Sequence, residues 1–295
     1  MTTDFAGCLV AIVTPMRRDG AIDFDAWSRL IDFHLVNGTR GIVVGGTTGE
    51  SPTLAEAELK ELTERACARV AGRIPIIAGA GTNSTAATLE RVRWLSLLPI
   101  DALLIVTPAY NKPSQEGLYR HFAAAAEASR VPVILYNVPG RTCVDMLPET
   151  VARLSQLPRI VAVKEALPQI ERVRALVAEC RHGFTVLSGD DATAREAILA
   201  GARGVVSVTA NVAPRAMADM AAAAQHGEVS RAELLDARLA RLHHALFLEA
   251  NPIGVKWALA RMGLIDSGIR LPLTELAPMY HVAVIEALRG AGVLN

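Results

Sequence analysis

Eight short β-branched runs, each followed by a helical stretch, predict an α/β protein: a (β/α)8 TIM barrel with a C-terminal helical extension. Three observations carry this prediction. Strand-like runs alternate with helical ones at intervals of roughly 20–30 residues, the spacing of βαβ units in a parallel sheet. Eight such units fit within the first 225 residues, and no strand pattern follows residue 226. A doubly wound open sheet is the main structural alternative.

The expected strands, in order, are CLVAIVT (8–14), GIVVGG (41–46), IPIIAG (74–79), ALLIVT (102–107), VPVILY (131–136), IVAVKE (160–165), FTVLSG (184–189) and GVVSVT (204–209). Between them lie helical stretches such as FDAWSRLIDFHL, LAEAELKELTERACARV, ATLERVRWLSLL and ERVRALVAEC. Beyond them, SRAELLDARLARLHHALFLE, GVKWALARMG and LTELAPMYHVAVIEALRG read as helices packed on the barrel. The expected division is therefore a barrel over 1–225 and a helical extension over 226–295. No Gly/Ser-rich linker or internal repeat sharpens that boundary.

Bulk properties narrow the function. A chain of 295 residues, 51% of them hydrophobic, can bury a large core. Its 30 basic and 30 acidic residues cancel without forming a like-charge block, which argues against nucleic acid or anionic membrane as a partner and for a small substrate. MTTDFAGCLVAIVTP has no basic region ahead of its short apolar run, so neither a signal peptide nor a membrane span is expected. Cys8, Cys67, Cys143 and Cys180 lack CxxC spacing, as reduced cytoplasmic thiols would. The histidines form no HExxH motif, the adjacent His243 and His244 point apart on a helix, and no phosphate-binding glycine loop is present, so no metal or nucleotide cofactor is expected.

IVAVKEA (160–166) poses the functional question, because an apolar strand ends on a lysine. One reading is an ion pair with Glu165 or another carboxylate. The other is a nucleophile. Of the 30 basic residues 26 are Arg and four are Lys, so a fixed cation in this chain is usually an arginine, whereas lysine alone can lose its proton and condense with a carbonyl. Strand alternation places Ile160, Ala162 and Lys164 on one face, with Val161, Val163 and Glu165 on the other. If the lysine face is the barrel interior, the amine rises from an apolar floor toward the open end.

Polar residues gather at the same end of the other strands, where the active sites of such barrels lie. Tyr110 and Tyr136, two of only four tyrosines, follow strands four and five. Either a core tyrosine with one satisfied hydroxyl or a proton shuttle linked through a threonine fits them. GGTTGES (45–51) flanks Thr47 and Thr48 with glycines, as a tight turn or a carboxylate cradle would. YNVPGRT (136–142) sets Arg141 where its guanidinium can bind a second carboxylate. Two anion sites, a reactive amine and a proton relay imply two carboxylated substrates, one of them a keto acid.

GTTGES, VTPAYNKPSQEGLYRHF, LYNVPGRT, VAVKEA, LSGDDA, GVVSVTANVAPRAM and NPIGVKWAL together resemble, in order and spacing through nearly the whole chain, the dihydrodipicolinate (4-hydroxy-tetrahydrodipicolinate) synthase family of lysine biosynthesis. The wider superfamily includes N-acetylneuraminate lyase and other pyruvate-dependent aldolases; a sister activity is the alternative, with Arg141 and the Thr pair favouring the synthase. The resemblance implies pyruvate and L-aspartate 4-semialdehyde as substrates and Lys164 as the Schiff-base lysine. Tyr136 is implied as the proton-relaying tyrosine, Thr47 as the threonine joining two tyrosines, and Tyr110 as the tyrosine supplied across a tight dimer interface of a homotetramer. It further implies Thr48 at the pyruvate carboxylate, Arg141 at the carboxylate of the semialdehyde, and Gly189 and Val206 beside the lysine, the latter more often Ile in the family. No metal, flavin or pyridoxal is implied, since the lysine supplies the electrophilic activation.

One part of the family pattern is missing. Feedback-inhibited members bind L-lysine in a dimer-interface cleft, which Ser51 and Asn83 match. Glu56 and Leu59 stand where some of those members carry histidines, Ala87 replaces a glutamate, and Ala109 replaces a tyrosine. Weak or absent inhibition by L-lysine is expected, with Glu56 a partial substitute for the lost carboxylate.

Overall fold

The computed structural model describes residues 3–294. The ends of the two expected segments, residues 1–2 and 295, lie outside the described residues, as do the first two residues of the N-terminal stretch read as lacking a targeting signal. The strands are β1 Gly7–Ala11, β2 Gly41–Val44, β3 Ile76–Gly79, β4 Ala102–Val106, β5 Val133–Asn137, β6 Ile160–Glu165, β7 Thr185–Ser188 and β8 Gly204–Ser207. Every neighbouring pair is parallel, and β8 returns to β1 to close the barrel. The open-sheet alternative is thereby overturned.

Around the barrel run α1 Phe24–Val36, α2 Glu56–Val70, α3 Thr85–Leu95, α4 Gln115–Ala128, the single-turn α5 Pro139–Thr142, α6 Pro148–Ser155, α7 Ile170–Glu179, α8 Ala194–Leu199 and α9 Pro214–Gln225. The chain then continues through α10 Val229–Ala245, α11 Ile253–Arg261 and α12 His281–Gly290. Helix starts follow local chemistry: Asp23 accepts from the N–H groups of Asp25 and Ala26 ahead of α1, and the Ser114 hydroxyl accepts from Gly117 N–H ahead of α4. The last expected helix is too long at its start. Residues 273–280 are largely irregular because Pro278 disfavours a helical residue before it, and α12 begins only after a short 3-10 turn at Pro278–Tyr280.

Two apolar layers result. One lies between strands and helices; the other fills the barrel and includes Leu9, Ile77, Leu104, Ile134, Ala162 and Val206, with Phe5 also packed into it. Ala162 faces inward, as it would if the lysine face is the interior, and Tyr136 belongs to the same layer, but Ile160 belongs to the outer layer and Val161 packs on the inner one. The cause is a register shift between β5 and β6: Val133 pairs with Ile160 and Ile134 with Ala162, so Val161 is an extra residue that breaks the alternation. From Ala162 onward the alternation is regular, which is what places Lys164 with Tyr136.

Candidate active site

Lys164 is 5% exposed and lies level with Tyr136 on β5 and Leu187 on β7. Its Nζ sits over the Tyr136 ring, 4.3 Å from the centroid, and among the described residues it forms no ion pair. The expected alternative, a pair with Glu165, is therefore not what forms. Glu165 points to the other side of the sheet, where it accepts from Arg172 Nε at 2.8 Å, from Asn137 Nδ2 and from Leu167 N–H. Burial pushes the Glu165 carboxyl above its usual range, with Arg172 opposing that shift.

Gly189 makes the space that Lys164 occupies. A Cβ at this position would meet the Lys164 Cε at 2.9 Å and the Ala166 Cβ at the same distance. Val206, 1% exposed on β8, belongs to the inner layer.

The GGTTGES segment leaves β2 through Gly45, whose φ of +62° favours glycine, and folds into a turn in which Gly49 N–H donates to the Gly46 carbonyl. Among the described residues the N–H groups of Thr47 and Thr48 donate to nothing, the condition a carboxylate cradle needs. The turn is held from three sides. The Thr14 hydroxyl donates to the Gly49 carbonyl at 2.7 Å, Asn251 Nδ2 donates to Thr48 Oγ1 at 2.9 Å, and Glu50, in left-handed conformation, is ion-paired to Lys256 of α11 and accepts from Arg270 N–H. Thr48 and Glu50 are both 2% exposed.

Arg141 lies on α5 and is exposed, and its Nη2 donates to the Asn251 carbonyl at 2.9 Å. Tyr110 stands apart. It is 90% exposed, its backbone is left-handed at φ 73°, and no hydrogen bond joins it to Thr47 or Tyr136 within this chain. The chain thus brings together Lys164, Tyr136 and Gly189, sets Val206 on β8 in the same inner apolar layer, holds Thr48 and Arg141 through a common neighbour, and turns Tyr110 outward.

Other polar residues at the strand ends serve the frame. Asn211 accepts from Val13 N–H and donates to the Ala11 carbonyl, sealing β1 to the segment after β8, and Asp191 accepts from Val208 and Thr209 N–H. Asn251 and Lys256 are the site neighbours that reading the residues missed. Their signal was the polar positions of NPIGVKWAL, which a helical pattern treats as surface. His243 is a buried packing residue on Thr209, while His244 is exposed. Among the described residues no group of His, Cys, Asp or Glu has the arrangement of a metal site, and no helix is long and apolar enough to cross a membrane.

In the expected effector region, Glu56 is bound by Arg91: Nε donates to Oε1 at 3.0 Å, and Nη2 closes the second contact. Leu59 is buried against Gly45, and Ala87 is exposed at the start of α3.

Residues 4–290 match the Dihydrodipicolinate synthetase family. The chain belongs to this family. It is 55% identical over 289 residues to the 4-hydroxy-tetrahydrodipicolinate synthase of Ectopseudomonas mendocina, covering 98% of this chain and 99% of that one. Among solved structures it is similar to the chloride-inhibited dihydrodipicolinate synthase of Acinetobacter baumannii complexed with pyruvate, with 48% identity, a TM-score of 0.97, and coverage of 99% and 100% of the two chains. A structure described as the first monomeric dihydrodipicolinate synthase variant matches at 42% identity and a TM-score of 0.96 over 98% of each chain.

Proposed function

We infer that this enzyme is a Schiff-base-forming lyase that condenses pyruvate with L-aspartate 4-semialdehyde, the 4-hydroxy-tetrahydrodipicolinate synthase reaction of lysine and diaminopimelate biosynthesis. The observation that carries the mechanism is Lys164: a buried amine without a carboxylate partner among the described residues, over a tyrosine ring, at the carboxyl end of a barrel strand.

The free-amine form of Lys164 attacks C2 of pyruvate, and loss of water leaves an iminium that withdraws electrons from the methyl group. Removal of a methyl proton gives the enamine, whose carbon adds to the aldehyde of the second substrate. The amino group of the adduct then attacks C2, closes the six-membered ring and expels Lys164. Thr48, with the free N–H groups of its turn, holds the pyruvate carboxylate; Arg141 holds that of the semialdehyde; Tyr136 moves protons, joined through Thr47 to Tyr110 of a second copy.

The exposure of Tyr110 supports this last assignment, because a ring 90% exposed in one chain is free to be covered by a second copy. We read the assembly as a homotetramer of tight dimers, and the protein as cytoplasmic. Sedimentation of the wild type, with turnover measured for forced monomers, tests the assembly.

Borohydride in the presence of pyruvate should add one pyruvate-derived mass, on Lys164. Trapping that persists in Lys164→Ala would reject the mechanism, and Lys164→Arg should also fail because a guanidinium stays protonated. Arg141→Ala should leave trapping intact while weakening use of the semialdehyde by about 1.5–3 kcal/mol, the worth of a charge-assisted contact.

A further inference from the structure

Asn251, in the link between α10 and α11, touches the turn after β2 and the turn after β5, 203 and 110 residues away in sequence. It is 5% exposed. Its side-chain Nδ2 donates to Thr48 Oγ1 at 2.9 Å, and its main-chain carbonyl accepts from Arg141 Nη2 at 2.9 Å. We propose that Asn251 is a positioning residue for both carboxylate-binding groups: its amide fixes the donor direction of the Thr48 hydroxyl, and its carbonyl braces the Arg141 guanidinium. This rests on the reading of Thr48 and Arg141 as the residues that meet the two carboxylates.

The polarity of the first bond is what matters. A hydroxyl has one hydrogen and two lone pairs, so a Thr48 oxygen that accepts from Nδ2 keeps its hydrogen free for a ligand carboxylate. Were the residue an acceptor at this position, the hydrogen would turn toward it and the hydroxyl would present lone pairs to an anion. Asn251 Oδ1 is buried and has no partner among the described residues, so the amide is not held here by a full set of stabilising bonds. On the other side, Arg141 spends one Nη2 bond on the Asn251 carbonyl and retains the rest of its fork.

The test compares Asn251→Asp with Asn251→Ala, together with Thr48→Val, by steady-state kinetics and thermal unfolding. Asp preserves shape and the main-chain carbonyl but exchanges the donor for a charged acceptor. Asn251→Asp should raise KM for pyruvate by about tenfold or more, at least as much as Ala does, with kcat changed less. Its effect on the semialdehyde KM should be smaller than that of Arg141→Ala. The double variant Thr48→Val with Asn251→Asp should be no worse than Thr48→Val alone within about twofold, since both act through one hydroxyl. An Asp variant milder than Ala, as packing alone predicts, overturns the proposal, and so does full additivity with Thr48→Val. If Thr48→Val leaves the pyruvate KM unchanged, the carboxylate reading of that turn fails and this inference falls with it.

Discussion

Two of the four lysines are almost fully buried, and they stand in opposite circumstances. Lys256, 2% exposed on α11, is ion-paired with Glu50, itself tied to Arg270 N–H; burial pulls its pKa below the usual lysine range. Lys164, 5% exposed on β6, has a tyrosine face and, among the described residues, no carboxylate partner. A buried charge is normally retained only with a partner. The pair at Lys256 therefore reads as the seam that clamps the turn after β2 to α11. The solitary amine at Lys164 reads as a group held for chemistry rather than for stability.

The largest expected difference is in turnover. Lys164→Met should remove Schiff-base formation and lower turnover by roughly 10⁴-fold or more, as loss of a covalent nucleophile does. Its unfolding free energy should shift by less than about 1 kcal/mol, because the lost ring contact is offset by an apolar replacement in an apolar layer. Lys256→Met should do the reverse, costing about 3–5 kcal/mol by leaving Glu50 buried and unpaired, while pyruvate can still be trapped on Lys164. Equal stability losses in the two variants, measured by urea unfolding, would erase the distinction.

A third buried base extends the contrast. His34 on α1 is fully buried; its Nδ1 meets the Thr39 hydroxyl at 3.0 Å, its Nε2 has no partner among the described residues, and burial lowers its pKa to about 3. Between that value and the unfolded value of about 6.5, the unfolded chain binds a proton that the folded chain rejects. Stability should therefore fall as pH drops through 6.5, by about 1.4 kcal/mol for each further unit until pH 3. His34→Gln should lose this acid sensitivity, so the stability gap between wild type and variant should change by about 2 kcal/mol between pH 7.5 and 5. A gap that does not change with pH would mean the His34 ring is not held neutral by burial.

The barrel was legible because its signal is repetitive: eight apolar runs with helical stretches between them leave few topologies, and polar residues at corresponding strand ends mark one face. The placement of Lys164, buried at a strand end on that face, was legible for the same reason. What escaped was set by contacts distant in sequence or by a single-residue irregularity. The extra residue Val161 changes which face Ile160 takes, and no pattern in IVAVKE announces it. Strand alternation already set Glu165 on the face opposite Lys164, but its partner Arg172 lies on α7, a pairing that no local pattern announces. Asn251 reaches the site across 203 residues, a distance that periodicity does not encode.

The paired-versus-solitary distinction also bears on regulation, where the expected effects are smallest. The sequence alone left Glu56 as a substitute for the carboxylate lost at Ala87. In the folded chain that carboxylate is taken by Arg91, which is largely buried while Glu56 is about half exposed. An incoming ammonium would have to displace a guanidinium held on α3, and Ala87 and Ala109 supply neither a carboxylate nor a phenol to hold it. L-Lysine should therefore give half-inhibition only above about 1 mM, an affinity weaker than roughly 4 kcal/mol, when titrated at subsaturating pyruvate. Arg91→Ala frees Glu56, and since a pair with one exposed partner is worth at most about 1 kcal/mol, it should tighten inhibition by no more than about fivefold. Inhibition well below 1 mM in the wild type would show that the cleft works without Glu56. A much larger gain in Arg91→Ala would show instead that the ion pair, and not the missing carboxylate at position 87, is what keeps L-lysine out.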